Sequence, residues 1–155
     1  MAQNQRSKQA RQYFEEGYGC AQAVLGTFAE DYGLSRSLAF KLTRHMGAGF
    51  MYEGGICGAL AGAFMVYGLA YNAEIAEDEL GKEIVYNLSM KHKEAFKQAF
   101  GGTNCREILG HDLSNPEEME ILRQKNLFHT LCPIFVEKST ELVEQNLIKN
   151  FQNHE

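Results

Sequence analysis

The segment from Gly54 to Asn72 carries no charged residue and is apolar almost throughout, after an opening Gly-Gly pair that favours a turn. About 15 residues remain for a helix that starts at Cys57, and at about 1.5 Å per residue that helix is shorter than a hydrocarbon core of about 30 Å. A helix that is apolar on all sides otherwise belongs in the interior of a domain. The pattern therefore predicts the buried central helix of a soluble protein, without membrane insertion and with Cys57 in its first turn.

Three amphipathic segments before this one are predicted to form helices. The first covers residues 5–16, the second runs from Cys20 to about Tyr32 and ends at Gly33, and the third follows an N-cap at Ser35. Their expected apolar faces are Ala10, Tyr13 and Phe14 in the first, Ala21, Val24, Leu25 and Phe28 in the second, and Leu38, Leu42 and Met46 in the third.

Four more helices are predicted after the central one. A long helix covers residues 73–100 and stops at a Gly-Gly pair, a short one begins near Cys105, a third begins at Asn115, and the last begins at Cys132. Their apolar positions are Leu80, Ile84, Leu88, His92, Phe96 and Phe100 in the long helix, Ile108 and Leu109 in the short one, and Val136, Val143, Leu147 and Phe151 in the last. The expected fold class is all-α: a compact single-domain bundle of six to eight helices, covering residues 1–155, around a buried central helix.

Charge and composition narrow the classes of function. The chain has 155 residues, two prolines and a formal net charge of −5, with a sequence pI near 5.6. An acidic chain without a basic face does not displace counterions from a phosphate backbone, so nucleic acid is excluded as a partner. The polar N-terminal residues form no apolar signal segment, and a cytoplasmic location is expected.

The chain has four cysteines, Cys20, Cys57, Cys105 and Cys132, with no Cys-x-x-Cys spacing among them. Structural disulfides are rare in the cytosol, which leaves metal binding, redox chemistry or packing as a small hydrophobe. Each cysteine lies at or near the first turn of a predicted helix, and apolar residues three and four positions later share its face. All four thiols should therefore point inward.

A helix N-terminus offers free N–H groups and partial positive charge, which lowers the pKa of a thiol and favours bound anions. If the four helix starts converge, they form a closed four-thiolate site suited to zinc or to an iron–sulfur cluster. Gly58 and Gly62, four residues apart, clear one face of the central helix. They allow either close backbone approach to a cluster or helix–helix contact.

With these residues in view, the chain resembles the redox-active family named for its C_GCAxxG_C_C cysteine pattern. The central motif is Cys57-Gly58-Ala59-Leu60-Ala61-Gly62, and Cys20, Cys105 and Cys132 match the other cysteines in order and rough spacing. The resemblance covers roughly residues 14–143. It implies a small redox protein associated with oxidoreductase and transporter systems.

A looser similarity links the chain to the iron–sulfur domain of split-Soret cytochromes. The sequence has no Cys-x-x-Cys-His segment, so covalent c-type haem is not expected.

Three hypotheses for the function follow. In the first, Cys20, Cys57, Cys105 and Cys132 bind an iron–sulfur cluster, [2Fe–2S] being the first choice, which air could remove. In the second, the protein is a metal-free thiol–disulfide redox protein or sensor in which Cys57 reacts and Cys20 or another cysteine resolves it. In the third, the cysteines bind zinc, or no metal, in a structural or docking accessory of an oxidoreductase. The expected partners are a redox protein or oxidoreductase complex and, in addition, a second copy of the chain.

Several other polar residues carry two interpretations. His92 interrupts an apolar row, either as a core histidine or as a group near the site. Lys91, Lys93 and Lys97 form either a docking patch for an acidic partner or the solvated face of the long helix. Three further histidines fall near predicted helix ends and loops, where exposed or capping roles are ordinary: His45, His111 and His129.

Overall fold

The structure is a computed structural model that describes residues 3–71 and 77–152. Its helices are α1 (Gln3–Glu15), α2 (Cys20–Phe28), α3 (Arg36–Thr43), α4 (Gly58–Ala70), α5 (Glu79–Phe100), α6 (Cys105–Leu109), α7 (Pro116–Gln124), α8 (Leu127–Thr130) and α9 (Cys132–Gln152). A 3-10 turn, Ala29–Tyr32, extends α2 and ends at Gly33, whose φ is +80°. In these two ranges the extended structure is limited to one isolated antiparallel bridge between Ile56 and Asn104. The all-α prediction is confirmed.

Helix α4 is the centre of the bundle, as its uniform apolarity predicts. It packs against α2, α5 and α9, while α1 lies across α9 and α2. Leu60, Val66 and Tyr67 of α4 are completely buried. Within the described ranges, no helix combines the length and the apolarity that crossing a membrane requires.

The two glycines of the central motif allow α2 to approach α4 closely. A methyl group added at Gly58 would lie 3.1 Å from the backbone nitrogen of Ala21, and one added at Gly62 would lie 3.0 Å from the backbone oxygen of the same residue. These separations are shorter than ordinary van der Waals contact. Helix–helix packing is therefore what the glycine pair provides in this structure.

Helix α3 buries a different face from the predicted one. Leu38 and Leu42 are exposed, whereas Ala39 and Thr43 are buried. The ring of Phe40 occupies the space left by the missing side chain of Gly26 in α2. Because this aromatic contact orients the helix, the row of leucines points away from the core, and the prediction for α3 was wrong.

Helix α5 begins later than predicted. Residues 73–76 lie outside the described part of the chain, and residues 77 and 78 are not helical. Asp78 caps the first turn of α5 by accepting a hydrogen bond from the Gly81 N–H at 2.9 Å. Leu80, in that first turn, is exposed, so its predicted burial was wrong. Leu88, His92 and Phe96 are buried as predicted, while Ile84 and Phe100 are half-buried and pack against the core.

The other boundaries agree with their sequence signals. Ser35 accepts a hydrogen bond from the Leu38 N–H at 3.2 Å, and Asn115 accepts one from the Glu117 N–H at 2.9 Å, as N-caps do. Asn104 caps α6. The single turn α8 was not predicted, and the side chain of Phe151 is outside the described structure.

Candidate functional site

The four cysteines begin four different helices and meet at one cavity. Cys20, Cys105 and Cys132 are the first residues of α2, α6 and α9, and Cys57 is the N-cap of α4. All four are free thiols, at most 6% exposed. They line a common cavity of about 480 Å³. The structure thus brings together residues that are separated by up to 112 positions in the sequence, the difference between 132 and 20.

Backbone hydrogen bonds hold the starts of α4 and α6 together. The N–H of Cys57 donates to the Thr103 carbonyl, and the N–H of Cys105 donates to the Gly55 carbonyl, each at 2.8 Å. The two bonds flank the Ile56–Asn104 bridge. Two helix N-termini, and the thiols they carry, therefore face each other at a fixed separation.

Cys57 and Cys105 form a hydrogen-bonded pair of thiols. The bond that Cys105 donates to the Cys57 sulfur lowers the pKa of Cys57, and the N–H groups of Ala59 and Leu60 lower it further, in opposition to burial. The same bond, together with burial, raises the pKa of Cys105. Cys57 is therefore the member of the pair that loses its proton more easily.

Cys20 and Cys132 form the second pair. The Cys20 thiol donates a hydrogen bond to the Cys132 sulfur, and this bond and burial raise the pKa of Cys20 well above its ordinary value. The negative charges of Cys57 and Cys105, when present, would raise it further. The site consists of two thiol pairs that interact electrostatically across one cavity.

A left-handed turn lies at the mouth of the cavity. Ala48, Phe50, Met51 and Tyr52 all have positive φ angles, between 50° and 65°, and each costs about 1 kcal/mol in this conformation. Gly49, between them, approaches Gly55 so closely that a methyl group on it would lie 2.2 Å from the Gly55 nitrogen. The turn places Met51 and Tyr52 in the cavity lining, with Arg44 and His45 beside them.

The arrangement of the four thiols bears on the metal hypotheses. Across residues 3–71 and 77–152, no group of three or more His, Cys, Asp or Glu side chains is arranged around a point that a metal ion could occupy. Zinc needs four ligands around one ion, so the zinc hypothesis gains no support and stays a prediction. A [2Fe–2S] cluster takes four cysteines, which is the number of thiols that line the cavity, and the cluster hypothesis likewise stays a prediction.

His92 lies away from the cysteines, in a buried polar cluster. Its Nδ1 is 2.7 Å from the Tyr67 hydroxyl and its Nε2 is 2.9 Å from the Ser139 hydroxyl. Burial lowers the pKa of His92 to about 3, so the ring is neutral. Of the two interpretations of His92, the core histidine with satisfied partners is the one the structure supports.

His45, His111 and His129 and the three lysines around His92 lie at or near the surface. His45 and His129 are exposed, and Nδ1 of His111 lies 3.8 Å from the Glu118 carboxylate. Lys91 and Lys97 are exposed and Lys93 is half-buried on α5. Docking of an acidic partner at these lysines stays a prediction.

Comparison with protein families identifies the chain. Residues 18–146 match the family described as "Putative redox-active protein (C_GCAxxG_C_C)", and the matched range contains all four cysteines and the Cys57–Gly62 motif. The chain belongs to this family. Membership in the family supports a redox role for this chain. The close approach of α2 at Gly58 and Gly62 accounts for the small residues at these two motif positions. No curated protein and no solved structure matches it.

Several residues of the site and its surroundings were not predicted from the sequence. Tyr52 and Arg44 at the cavity mouth carry no periodic signal, because they belong to an irregular segment. Ser139 and Asn146 had a detectable signal: they lie three residues after Val136 and Val143 respectively, on the apolar stripe of α9. A polar residue in a core position implies a buried hydrogen-bond partner.

Proposed function

We propose that this C_GCAxxG_C_C protein is a small electron-transfer protein whose four cysteines hold an iron–sulfur cluster, with [2Fe–2S] as the first choice. The observation that carries the proposal is the convergence of four buried thiols, one from each of four helix starts, on one cavity. Cys20 with Cys132, and Cys57 with Cys105, would each supply the two ligands of one iron. When bound, such a cluster accepts and releases one electron.

The protein's own groups would tune that exchange. The backbone N–H groups of Ala59 and Leu60 lower the pKa of Cys57, and the Gly58 N–H opposes the rise in the pKa of Cys105. Hydrogen bonds to ligand sulfurs raise the reduction potential of a cluster, and burial excludes water. We propose that the protein is cytoplasmic and that its partner is a redox protein or an oxidoreductase complex, with a homodimer as a further expectation.

The decisive experiment is purification without oxygen, followed by a visible spectrum and assays of iron, sulfide and zinc. Brown protein with about two irons and two sulfides per chain is expected, and it should bleach on reduction. Each of the four Cys→Ser variants should lose iron. Ser35→Ala, which removes a helix cap away from the cavity, is the control and should keep it. Colourless protein that takes up no iron during reconstitution would overturn the proposal.

A second candidate function is thiol–disulfide exchange without a metal, and the pairing of the thiols favours it. The Cys57 thiolate, whose pKa is lowered by Cys105, would attack a substrate disulfide and release one thiolate of the substrate. The Cys105 thiolate would then attack the Cys57 sulfur, forming the Cys57–Cys105 disulfide and releasing the second substrate thiolate. The substrate disulfide gains two electrons and the cysteine pair loses two.

A further inference from the structure

The turn at the mouth of the cavity exposes three large apolar side chains in succession. Phe50, Met51 and Tyr52 are 44%, 60% and 53% exposed, and Met51 and Tyr52 border the opening. All three have positive φ angles, a conformation that is unfavourable for residues other than glycine. Backbone strain and contiguous exposed apolar surface are both typical of a surface that binds a partner.

Hydrogen bonds hold this turn in one conformation. The N–H of Met51 donates to the His45 carbonyl at 3.1 Å, and the N–H of Glu53 donates to the Phe50 carbonyl at 2.9 Å. Nη2 of Arg106, on α6, donates to the Glu53 carbonyl at 3.0 Å. The apolar side chains are therefore presented on a fixed backbone, and a partner that docks on them does not have to order the turn.

Two opposite charges lie at the same opening without pairing to each other. Glu16, which follows α1, and Arg44, the C-cap of α3, both line the mouth and both are exposed. The Glu16 carboxylate accepts a hydrogen bond from Nε2 of Gln12 at 2.8 Å. Neither charge has an ion-pair partner within residues 3–71 and 77–152. The rim of the opening therefore offers an acid and a base around an apolar centre.

A surface of this kind is complementary to itself. In a dimer with two-fold symmetry the same patch lies on both sides of the interface, so a contact from one residue to another is always made twice. Arg44 of one protomer can then pair with Glu16 of its partner at two symmetric places, while the two turns pack together between these pairs. A partner with a single sign of charge would satisfy one rim charge and repel the other.

We propose that two copies of this chain associate through the mouth surface, which consists of Glu16, Arg44 and residues 50–52, and that each copy covers the redox cavity of the other. The proposal rests on the proposed function only for what this cover achieves, since the association itself needs neither a metal nor a disulfide. Covering the mouth excludes water, and solvent exposure is one of the factors that set the reduction potential of a cluster. Phenylalanine, tyrosine, methionine and arginine, the larger side chains of this surface, are the types enriched in interfaces.

The test is sedimentation equilibrium of the full-length protein as purified without oxygen, in a reductant that prevents disulfides between chains. Wild type should form dimers at chain concentrations up to about 100 μM. Arg44→Glu places like charges opposite each other at both symmetric pairs and should weaken the dimer about ten-fold or more, and Glu16→Arg should do the same. Lys91→Glu, the same change of charge at an exposed position of α5, is the control and should leave the association unchanged.

A mixture of the two reversed variants decides whether these residues pair. Equal amounts of Arg44→Glu and Glu16→Arg should form a heterodimer about as stable as wild type, because each new charge faces an opposite one. The chain with both changes should again form homodimers. Tyr52→Asn, which keeps a residue type that accepts the left-handed conformation, should also weaken the dimer and serves if charge reversal prevents folding. Tyr86→Asn, at a similarly exposed tyrosine of α5, should not weaken it.

Three outcomes would overturn the proposal. Wild type that stays monomeric would leave the mouth surface for a different protein. A dimer that Arg44→Glu and Glu16→Arg weaken no more than Lys91→Glu does would have its interface elsewhere, and a mixture that stays monomeric would exclude the pairing. The visible spectrum of the same samples tests the proposed function separately: a brown monomer keeps the cluster and overturns the dimer, and a colourless dimer does the reverse.

Discussion

A methyl group added to Gly62 would stand 3.0 Å from the carbonyl oxygen of Ala21, because α4 and α2 are in backbone contact at this point. That backbone contact holds the start of α2, with Cys20, against the start of α4. The glycines of the family motif therefore position two of the four thiols relative to each other.

Gly62→Ala should destabilise the protein by about 1–3 kcal/mol, since inserting a methyl into a tight contact forces the helices apart. Gly68→Ala is the matched control on the same helix. A methyl there meets nothing within 4 Å, and the better helix propensity of alanine should stabilise by up to about 1 kcal/mol. The free energies of unfolding in urea check both values. Equal effects at the two positions would show that helix propensity, and not the α2 contact, determines them.

Mild oxidation of metal-free protein should join Cys20 to Cys132 and Cys57 to Cys105. These partners already contact each other through hydrogen bonds, and a disulfide requires Cα atoms within about 7 Å. Peptide mapping by mass spectrometry identifies the pairs. In Cys57→Ser, only the Cys20–Cys132 disulfide should form, leaving Cys105 free. Cross-linked products such as Cys20–Cys57, or an unchanged thiol count, would argue against the dithiol function.

His92 should make stability depend on pH. Its pKa is about 3 in the folded protein and about 6.5 in an unfolded chain, so between these values the unfolded state binds the additional proton. Acidification therefore destabilises the fold, by up to about 1.4 kcal/mol per pH unit between pH 6.5 and 3. Above pH 6.5 the effect is absent.

His92→Gln removes this contribution while retaining hydrogen-bonding groups. The difference in unfolding free energy between wild type and His92→Gln, measured in urea from pH 4 to 7, should shrink as the pH falls. In Thr140→Val, which removes no titrating group, the difference from wild type should stay constant. A constant difference for His92→Gln would mean that the imidazole is protonated in the folded state as easily as in the unfolded one.

The exposed leucines of α3 give a test of which face is buried. Leu42→Ala should change the unfolding free energy by no more than about 0.5 kcal/mol, as surface substitutions do. Leu60→Ala, at a completely buried site in α4, should cost about 2–5 kcal/mol. Thermal and urea unfolding distinguish the two. A large decrease in the free energy of unfolding for Leu42→Ala would show that the predicted face of α3 is the buried one.

The sequence by itself determined most of the helices, though not α8 or the start of α5, and the positions of the thiols on them. Those features depend on local chemistry: Ser35 and Asn115 accept N–H bonds within their own first turns, Gly33 adopts a left-handed conformation, and each cysteine begins a helix. An uncharged, apolar segment that is too short to span a membrane was sufficient to identify α4 as the central helix.

Only the tertiary structure decided which faces are buried and which thiols are partners. Phe40 rotates α3 by packing on Gly26, a contact between two helices that no periodicity contains. Cys57 is paired with Cys105 because backbone bonds join residues 55 and 57 to residues 105 and 103. Ser139 reaches Ala59 across 80 residues of sequence. Such contacts depend on the packing of distant segments, and short-range sequence patterns carry no information about that packing.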